Sequence, residues 1–206
     1  MHLKRQETTT KLPIPRKGTK YVARALSHLN NSVPVVIAVR DMLKMARTTA
    51  DVKKMIHQKL LKINGRNVRD HRESIKLFNL FEADKHYILS LLPTGKFSLE
   101  HAKEKDSRLC KVINKTLVKN NSIQLNFHDG SNILSKTPIS VGDSLYLDLS
   151  SKIKKHLPLE KGKEVMIIKG KYLGLKGKVE SLENNKITIK INDRSTTISK
   201  QQVVAI

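Results

Sequence analysis

The spacing of apolar residues changes partway along this chain, and that change limits the folds open to it. Between Val39 and Ala46 the apolar residues recur at intervals of three and four, which is the stripe of an amphipathic helix. Arg40, Lys44 and Arg47 are then expected to share a different face of this helix. From Ile123 onward, apolar residues alternate with polar ones, and turn residues separate the short segments. A helical part followed by strand-rich parts predicts an α+β protein.

A second helix is predicted directly behind the first. Thr48 can cap its first turn, and Asp51 stands three residues later as the acidic member of a capping box. Lys53, Lys54 and His57 then face away from the apolar stripe of this helix. The residues expected to form its buried side are Val52, Met55, Ile56 and Leu60.

A tight turn is predicted next, at Asn64-Gly65. The pair lies between apolar Ile63 and Val68, and both turn residues tolerate the positive φ angles of a type I′ turn. Residues 33–72 therefore read as helix, helix and β-hairpin.

The rest of the chain is predicted to form small β modules. Only 4% of the residues are aromatic and none is Trp, so several small cores are favoured over one large core. Ser90 to Arg108 mixes turn residues with charges of both signs and is expected to be a connector. Four short β segments after Pro158 suit a compact barrel. The predicted divisions are a basic arm at 1–32, an α/β module at 33–95, a central β domain at 96–158 and a barrel at 159–206.

Charge determines the expected class of partner. The formal net charge is +22, from 40 Lys and Arg against 18 Asp and Glu, which calls for a polyanion: RNA, DNA or an anionic membrane. A membrane is disfavoured because no apolar run reaches about 18 residues and the first residues, MHLKRQETTT, contain no apolar signal core. Residues 1–72 hold 17 of the cations against 4 carboxylates, so the main anion-binding surface is expected there.

The cations at arm and helix-face positions are the candidate binding residues, because few carboxylates stand near enough in sequence to pair with them. The arm is expected to be disordered alone and to become ordered on phosphates. The candidate RNA-binding residues are Lys4, Arg5, Arg16, Lys17, Lys20, Arg24, Arg40, Lys44, Arg47, Lys53, Lys54, Arg66, Arg69, Lys171 and Lys176.

No residue pattern predicts catalysis, a metal site or a cofactor. Cys110 is the single cysteine, so an internal disulfide and zinc sites with two or more thiolates are excluded, and it is expected to be a small core residue. The histidines show no metal-ligand spacing, and His128 is expected to have a hydrogen-bonding or packing role. A phosphate loop fails because Gly170 stands seven residues before Gly177 and Lys178 is followed by Val179.

The stretch VPVVIAVRDMLKMARTTADVKKMIHQKLLKINGRNVRD resembles the S-four RNA-binding module, a helix-helix-hairpin unit. In particular, it is similar to the version in the archaeal and eukaryotic small-subunit ribosomal protein family S-four-e. HLKR and IPRKGTKYVAR near the start resemble the opening arm of that family, and LCKV, QLNFHDG and VGD resemble its central domain. The resemblance covers essentially the whole chain.

The segment EVMIIKGKYLGLKGKVESL resembles a KOW motif, which marks a small SH3-like barrel. Gly170, Gly174 and Gly177 are expected to allow tight loops and to leave backbone N–H groups open to phosphate or base, although they could be turn residues only. Lys169, Lys171, Lys176 and Lys178 favour RNA contact.

The family resemblance implies a structural, non-enzymatic constituent of the small ribosomal subunit. Its partners would be small-subunit ribosomal RNA and neighbouring ribosomal proteins, in the cytoplasmic ribosome, with no membrane, cofactor or small-molecule substrate. Two alternatives stay open: an RNA-binding transcription or translation factor carrying a KOW barrel, and an RNA-modifying enzyme that uses the S-four-like module to hold RNA.

Overall fold

The computed structural model describes residues 2–102, 104, 106–118, 122–183, 185–191 and 194–206. The chain forms two units, Met1–Lys105 and Asp106–Ile206. Strands dominate both, and the described helices are short and lie in the first unit and near the end of the second.

The first unit combines a short helical part with antiparallel strands. A five-stranded sheet has the order β5-β4-β7-β8-β9, and two further pairs are β1 with β2 and β3 with β6. The elements are β1 (Leu3–Lys4), a 3₁₀ turn (Arg5–Glu7), β2 (Tyr21–Val22), β3 (Ser32–Pro34), α1 (Val35–Ile37), a π-helical turn (Ala38–Met42), α2 (Thr49–His57), β4 (Lys62–Ile63), β5 (Arg66–Asn67), β6 (Ser74–Lys76), β7 (Leu80–Glu82), β8 (His86–Leu91) and β9 (Phe97–His101).

The first helix is shorter and earlier than the apolar spacing predicts. It begins at Val35, and every residue from there to Val39 is buried, so this end has no polar face. The chain leaves the helix after Leu43, because Lys44 adopts a φ of 57°. Ala46 therefore lies beyond the helix, and the prediction that Arg40, Lys44 and Arg47 share one helical face is wrong.

The second helix starts where the capping signal predicts. The Asp51 backbone N–H donates to Thr48 Oγ1 at 3.2 Å, and the Thr48 N–H donates to the Asp51 carboxylate at 2.9 Å. The hydrogen bonds from Thr48 lower the pKa of Asp51. The helix ends at His57, so Leu60, predicted to be buried, is instead 52% exposed.

Replacing Thr48 with Ala should destabilise the first unit by about 1 kcal/mol, the usual cost of losing a side-chain N-cap. Urea denaturation followed by circular dichroism measures this change. Lys53→Ala on the same helix is the control and should cost less than about 0.5 kcal/mol. Equal losses in the two variants would show that the cap contributes nothing.

The Asn64-Gly65 hairpin is confirmed. Ile63 pairs with Arg66 across the turn, and Asn64 and Gly65 have φ angles of 51° and 77°. The Asn64 side chain also accepts a hydrogen bond from the backbone N–H of Leu80 at 2.9 Å, which ties the hairpin to the next strand of the sheet.

Two segments expected to lack regular structure contain some. Within 1–32, β1 pairs with β2, and Leu12 and Ala25 are buried. The segment from Ser90 to Arg108, predicted to be a connector, contributes β9, which pairs with β8 inside the five-stranded sheet. The connector prediction is wrong for Phe97–His101, because buried Phe97 and the pairing with β8 place this segment in the sheet. The expected disorder of residues 1–32 in the free protein stays a prediction.

The second unit consists of two five-stranded antiparallel sheets, ordered β12-β11-β10-β13-β14 and β18-β17-β16-β15-β19. The alternating residues Ile123, Leu125 and Phe127 fall on β11, and Leu145 and Leu147 fall on β13. The four predicted C-terminal β segments correspond to β15 through β18. The elements are β10 (Ser107–Val118), β11 (Ser122–Phe127), β12 (Asn132–Ser135), β13 (Ser144–Asp148), β14 (Ile153–Leu157), β15 (Glu164–Ile167), β16 (Lys176–Leu182), β17 (Lys186–Ile191), β18 (Arg194–Ser199), a 3₁₀ turn (Lys200–Gln202) and β19 (Val203–Ala205).

Each sheet of the second unit has its own apolar core. Leu125, Leu145 and Leu147 are fully buried in the first, while Ile187 and Ile189 are fully buried in the second. Two small cores agree with the expectation drawn from the low aromatic content. The strands that the sequence analysis did not predict include β12, β14 and β19, of which β19 is only three residues long and pairs with β15.

Candidate nucleic-acid interface

Four exposed cations follow or lie on the helical part of the first unit. Lys44 and Arg47 stand in the connection between the two helical segments, and Lys53 and Lys54 lie on α2 away from buried Val52. None of the four side chains forms a hydrogen bond or ion pair within the described part of the chain. Their charges are therefore available to phosphates.

Two of the predicted binding arginines are already paired. The Arg40 guanidinium donates to the Asp41 carboxylate at 2.9 and 3.1 Å, and Arg66 donates to Glu73 at 2.7 Å. The expectation that these two arginines have no carboxylate partner is wrong. Asp41 is the residue next to Arg40, and Glu73 lies seven residues after Arg66, between strands β5 and β6. They are weaker candidates for phosphate binding than Arg69, whose side chain has no partner among the described residues.

The guanidinium of Arg5 holds the N-terminal segment together. It donates to the carbonyl oxygens of Pro15 at 2.6 Å and Thr19 at 2.8 Å, and to Thr19 Oγ1 at 2.9 Å. Arg5 is thus a structural residue in this segment. The remaining predicted cations of the segment divide into half-buried Arg24 and the exposed residues Lys4, Arg16, Lys17 and Lys20.

An exposed aromatic ring in the same segment was missed by the sequence analysis. Tyr21 is 46% exposed, with the Lys20 ammonium 5.5 Å from its ring centroid and the His2 ring 4.9 Å away. Lys4 lies directly across the strand pair from Tyr21. An aromatic ring among cations can stack on a base while the cations bind phosphate. The sequence signal that could have identified this ring is the Lys20-Tyr21 pair, in a chain that contains few tyrosines.

Lysines form a second exposed group on the C-terminal sheet. Lys176 and Lys178 point to one face of β16, and Lys190 of β17 lies directly opposite Lys178. Like charges opposite each other destabilise a sheet, and Glu164, paired with Lys178 from the other side, offsets part of this repulsion. Binding of a polyanion on this face would relieve the repulsion.

The three glycines of the KOW-like segment have two different roles. Gly170 and Gly174 have φ angles of 95° and 83°, as expected for loop positions that favour glycine. Gly177 lies inside β16, where an added Cβ would stand 2.6 Å from both the Lys190 carbonyl oxygen and Ile189 Cγ2. Its predicted role as a loop residue is wrong, since close packing between strands requires it. Lys171, in the loop, lies 5.9 Å from the Tyr172 ring centroid.

Charged groups are also buried in the second unit. Arg108 and Asp129 form an ion pair whose side chains are 7% and 3% exposed. Burial would raise the pKa of Asp129, but hydrogen bonds from Ser131 and the charge of Arg108 outweigh it and lower that pKa. The Lys111 ammonium donates to the carbonyl oxygens of Lys200 at 2.7 Å, Gln201 at 3.1 Å and Val203.

The roles expected for Cys110 and His128 are confirmed. Cys110 lies in β10 and is 1% exposed, and burial, with the nearby charge of Asp129, raises the pKa of its thiol to about 12. Such a thiol is not a nucleophile near neutral pH. His128 Nδ1 accepts a hydrogen bond from the Lys111 backbone N–H at 3.1 Å. Within the described ranges, no group of three or more metal-ligating side chains occurs and no helix has the length and apolar character needed to cross a membrane.

Comparison with known proteins identifies the family. The small ribosomal subunit protein eS4 of Methanocella arvoryzae is 31% identical over 189 residues, which cover 88% of this chain and 81% of the relative. The chain belongs to ribosomal family S4e. The protein of the same name from Methanospirillum hungatei is 34% identical, over 86% of this chain and 78% of the relative. The model of ribosomal family S4e matches residues 83–153, and the KOW motif matches residues 161–190.

A solved structure has the same fold as this S4e chain. The 30S ribosomal protein S4e of Thermoplasma acidophilum superposes with a TM-score of 0.73 at 23% identity, covering 85% of this chain and 95% of that one. The KOW match includes β15, β16 and most of β17, and so contains Gly170, Gly174, Gly177 and the exposed lysines of β16.

Proposed function

We propose that this S4e chain is a non-enzymatic, structural constituent of the small subunit of the cytoplasmic ribosome, where it binds ribosomal RNA. The observation that carries the proposal is similarity over most of the chain to proteins named for that subunit. The exposed cations of both units, in a chain of net charge +22, agree with it. Neighbouring ribosomal proteins would be its other partners.

The finer architecture belongs to the same proposal. The helical part and the Asn64-Gly65 hairpin would form the S-four-like module, and the two sheets of the second unit would be the central β domain and an SH3-like KOW barrel. The strand bounds favour ending the first module after β9 rather than at residue 95, because β9 completes its sheet.

Binding would work by charge and shape. The cations that neutralise phosphates release condensed counterions, and the folded modules determine which RNA helices and junctions they contact. The residues best placed for this on the first unit are Arg47, Lys53 and Lys54, which are exposed and form no ion pair within the described residues.

Replacing Arg47, Lys53 and Lys54 together with Ala should weaken binding to small-subunit ribosomal RNA and leave the fold intact. Each lost phosphate contact reduces the slope of log affinity against log salt by about 0.7 to 0.9, so the triple variant should lose about 2 to 2.7. Filter binding across a salt series measures both quantities.

The matched control for this variant is Arg66→Ala, because the Arg66 guanidinium is held by Glu73. Arg66→Ala should reduce the slope by less than the value for one phosphate contact, about 0.7. An unchanged slope in the triple variant, or an equal loss per residue in the control, would remove these three residues from the interface.

A factor that visits the ribosome is the second candidate function, and the KOW match favours it, since the motif is not specific to subunit proteins. A subunit constituent remains on purified small subunits after a high-salt wash, whereas a factor is released. The same fractionation, with the protein detected by immunoblot, therefore separates the two functions.

A further inference from the structure

A cleft of about 340 Å³ in the second unit is lined by three lysines, Lys111, Lys169 and Lys200. No carboxylate of the described residues lines it. Lys169 is exposed and Lys200 is half-buried, and neither ammonium forms an ion pair within the described ranges. The cleft is therefore a concave, positively charged site, which concentrates the electrostatic field on an anion.

The structure assigns this lysine cleft to a single nucleotide of ribosomal RNA, turned out of its helix, with its phosphate between Lys169 and Lys200 and its base on the apolar floor. This inference rests on the proposed function, and it names the RNA element and the position it occupies. Lys111 does not contact the phosphate, because all of its donors are directed at backbone carbonyls.

The floor of the cleft favours a base over a phosphate alone. Ile113 and Val141 are 54% and 48% exposed and both line the cleft, so two apolar side chains are available to the face of a base. Ile113 is the extra residue of a bulge in β10, between Val112 and Asn114, and a bulge redirects a side chain out of the regular sheet pattern. A purely electrostatic phosphate site would not need such a surface.

Two amides at the cleft can contact the edge of the base. Asn185 and Gln201 line it, are exposed and have side chains without a hydrogen-bond partner among the described residues. Amide side chains carry both donors and acceptors, so they can pair with the polar edge of a base. The volume is near the lower end of the range for small-ligand sites, about 300 to 1,000 Å³, and suits one nucleotide rather than a duplex.

The position of Lys111 supports the electrostatic part of this inference. Its side chain is 4% exposed, and burial together with the charge of Lys169 lowers its pKa to about 8. Lys111 and Lys169 repel each other, and an anion bound between or beside them would reduce this repulsion. The three carbonyl contacts hold Lys111 in place, and so hold the 3₁₀ turn that carries Lys200 and Gln201 against β10.

Two variants of the full-length protein test the inference against an in vitro transcript of small-subunit ribosomal RNA. Lys169→Ala with Lys200→Ala should reduce the salt slope by about 0.7 to 1.8, since one or two phosphate contacts are lost. Ile113→Ser with Val141→Ser should lower affinity about five- to tenfold, because apolar contact with the face of the base is lost, without changing the slope.

Matched controls carry the same changes at other exposed positions of the same unit. Lys155→Ala with Lys163→Ala controls for charge, and Leu117→Ser with Leu134→Ser controls for the loss of apolar surface. Cleft variants should differ from these controls by the stated amounts, while all four proteins retain the parent's circular dichroism spectrum.

The outcomes are distinguishable. Failure of the parent protein to bind the transcript would overturn the proposed function itself. Parent-like affinity in the Ile113 and Val141 variant would overturn the assignment of the cleft to a nucleotide but would not contradict RNA binding by the protein. If cleft variants bind the transcript normally but are lost from assembled subunits, the cleft binds an acidic protein segment instead, which also overturns the nucleotide.

Discussion

Replacing Arg108 with Met should destabilise the second unit by about 3 to 5 kcal/mol, which is the usual cost of removing one partner from a buried ion pair. Both side chains of the Arg108–Asp129 pair are less than one-tenth exposed, so water cannot take the place of the lost guanidinium. Urea denaturation at neutral pH, followed by circular dichroism, measures the loss.

The pH dependence of this variant provides an independent check. In the parent protein the pKa of Asp129 is lowered, so the stabilisation it contributes is present above its ordinary pKa near 4 and is lost as pH falls through the folded value. Without Arg108, one of the causes that lower this pKa is lost, so the pKa of Asp129 is higher in the variant than in the parent. The stability difference between parent and variant should therefore shrink as the pH falls from the higher folded-state pKa of Asp129 in the variant to the lowered one in the parent.

The double variant Arg108→Met with Asp129→Asn is the control for an uncompensated charge. It should recover a large part of the loss, because the carboxylate is gone while the asparagine oxygen can still accept hydrogen bonds from Ser131, as the carboxylate does at 2.6 and 2.8 Å. If the double variant is as unstable as Arg108→Met alone, lost packing and not the buried charge causes the effect.

Gly177→Ala should also destabilise the second unit, by about 2 to 3 kcal/mol, toward the upper end of the cost of overpacking. The added methyl group would overlap the Lys190 carbonyl oxygen and Ile189 Cγ2, both 2.6 Å away. These atoms belong to the adjacent strand and to the core, so neither can move without disturbing the sheet. Thermal denaturation of the purified protein provides the measurement.

The control for Gly177 is Gly162→Ala. Gly162 has a φ of 83° and nothing within 4 Å of an added Cβ, so only the backbone conformation is strained there, at about 1 kcal/mol. Losses of the same size at the two positions would mean that the β16–β17 approach is looser than the structure indicates.

Local signals in the sequence predicted the parts of the fold that depend on a few neighbouring residues. The Thr48–Asp51 capping box and the Asn64-Gly65 turn are both confirmed, because a cap or a two-residue hairpin turn is determined by residues three or fewer positions apart. The alternating segments of the second unit likewise became strands, because alternation follows from burial of one sheet face.

Features that depend on distant residues were not predicted. The first helix ends where Lys44 adopts a positive φ, and no glycine stands nearby in the sequence to indicate such a conformation. Strand β19 depends on pairing with β15, which is more than thirty residues away in sequence. Such a strand forms because a distant strand pairs with it, and the residue pattern of the segment alone does not show which strand that is.

The same distinction applies to the candidate site. Lysines on strand and helix faces could be recognised from spacing, and Lys53, Lys54 and Lys176 are exposed as expected. Pairing of Arg66 with Glu73 could not be recognised, because a turn separates the two residues. The lysine cleft was missed altogether, since Lys111 and Lys200 are 89 residues apart and meet only when β10 packs beside the 3₁₀ turn.

Retention on salt-washed ribosomes tests the central claim most directly. Small subunits are purified from cells that express the tagged full-length protein, washed at high salt and separated on a sucrose gradient. The account predicts that the protein remains in the small-subunit fraction at about one copy per subunit. Release of the protein into the salt wash, or its absence from that fraction before the wash, would contradict a structural role in the small subunit.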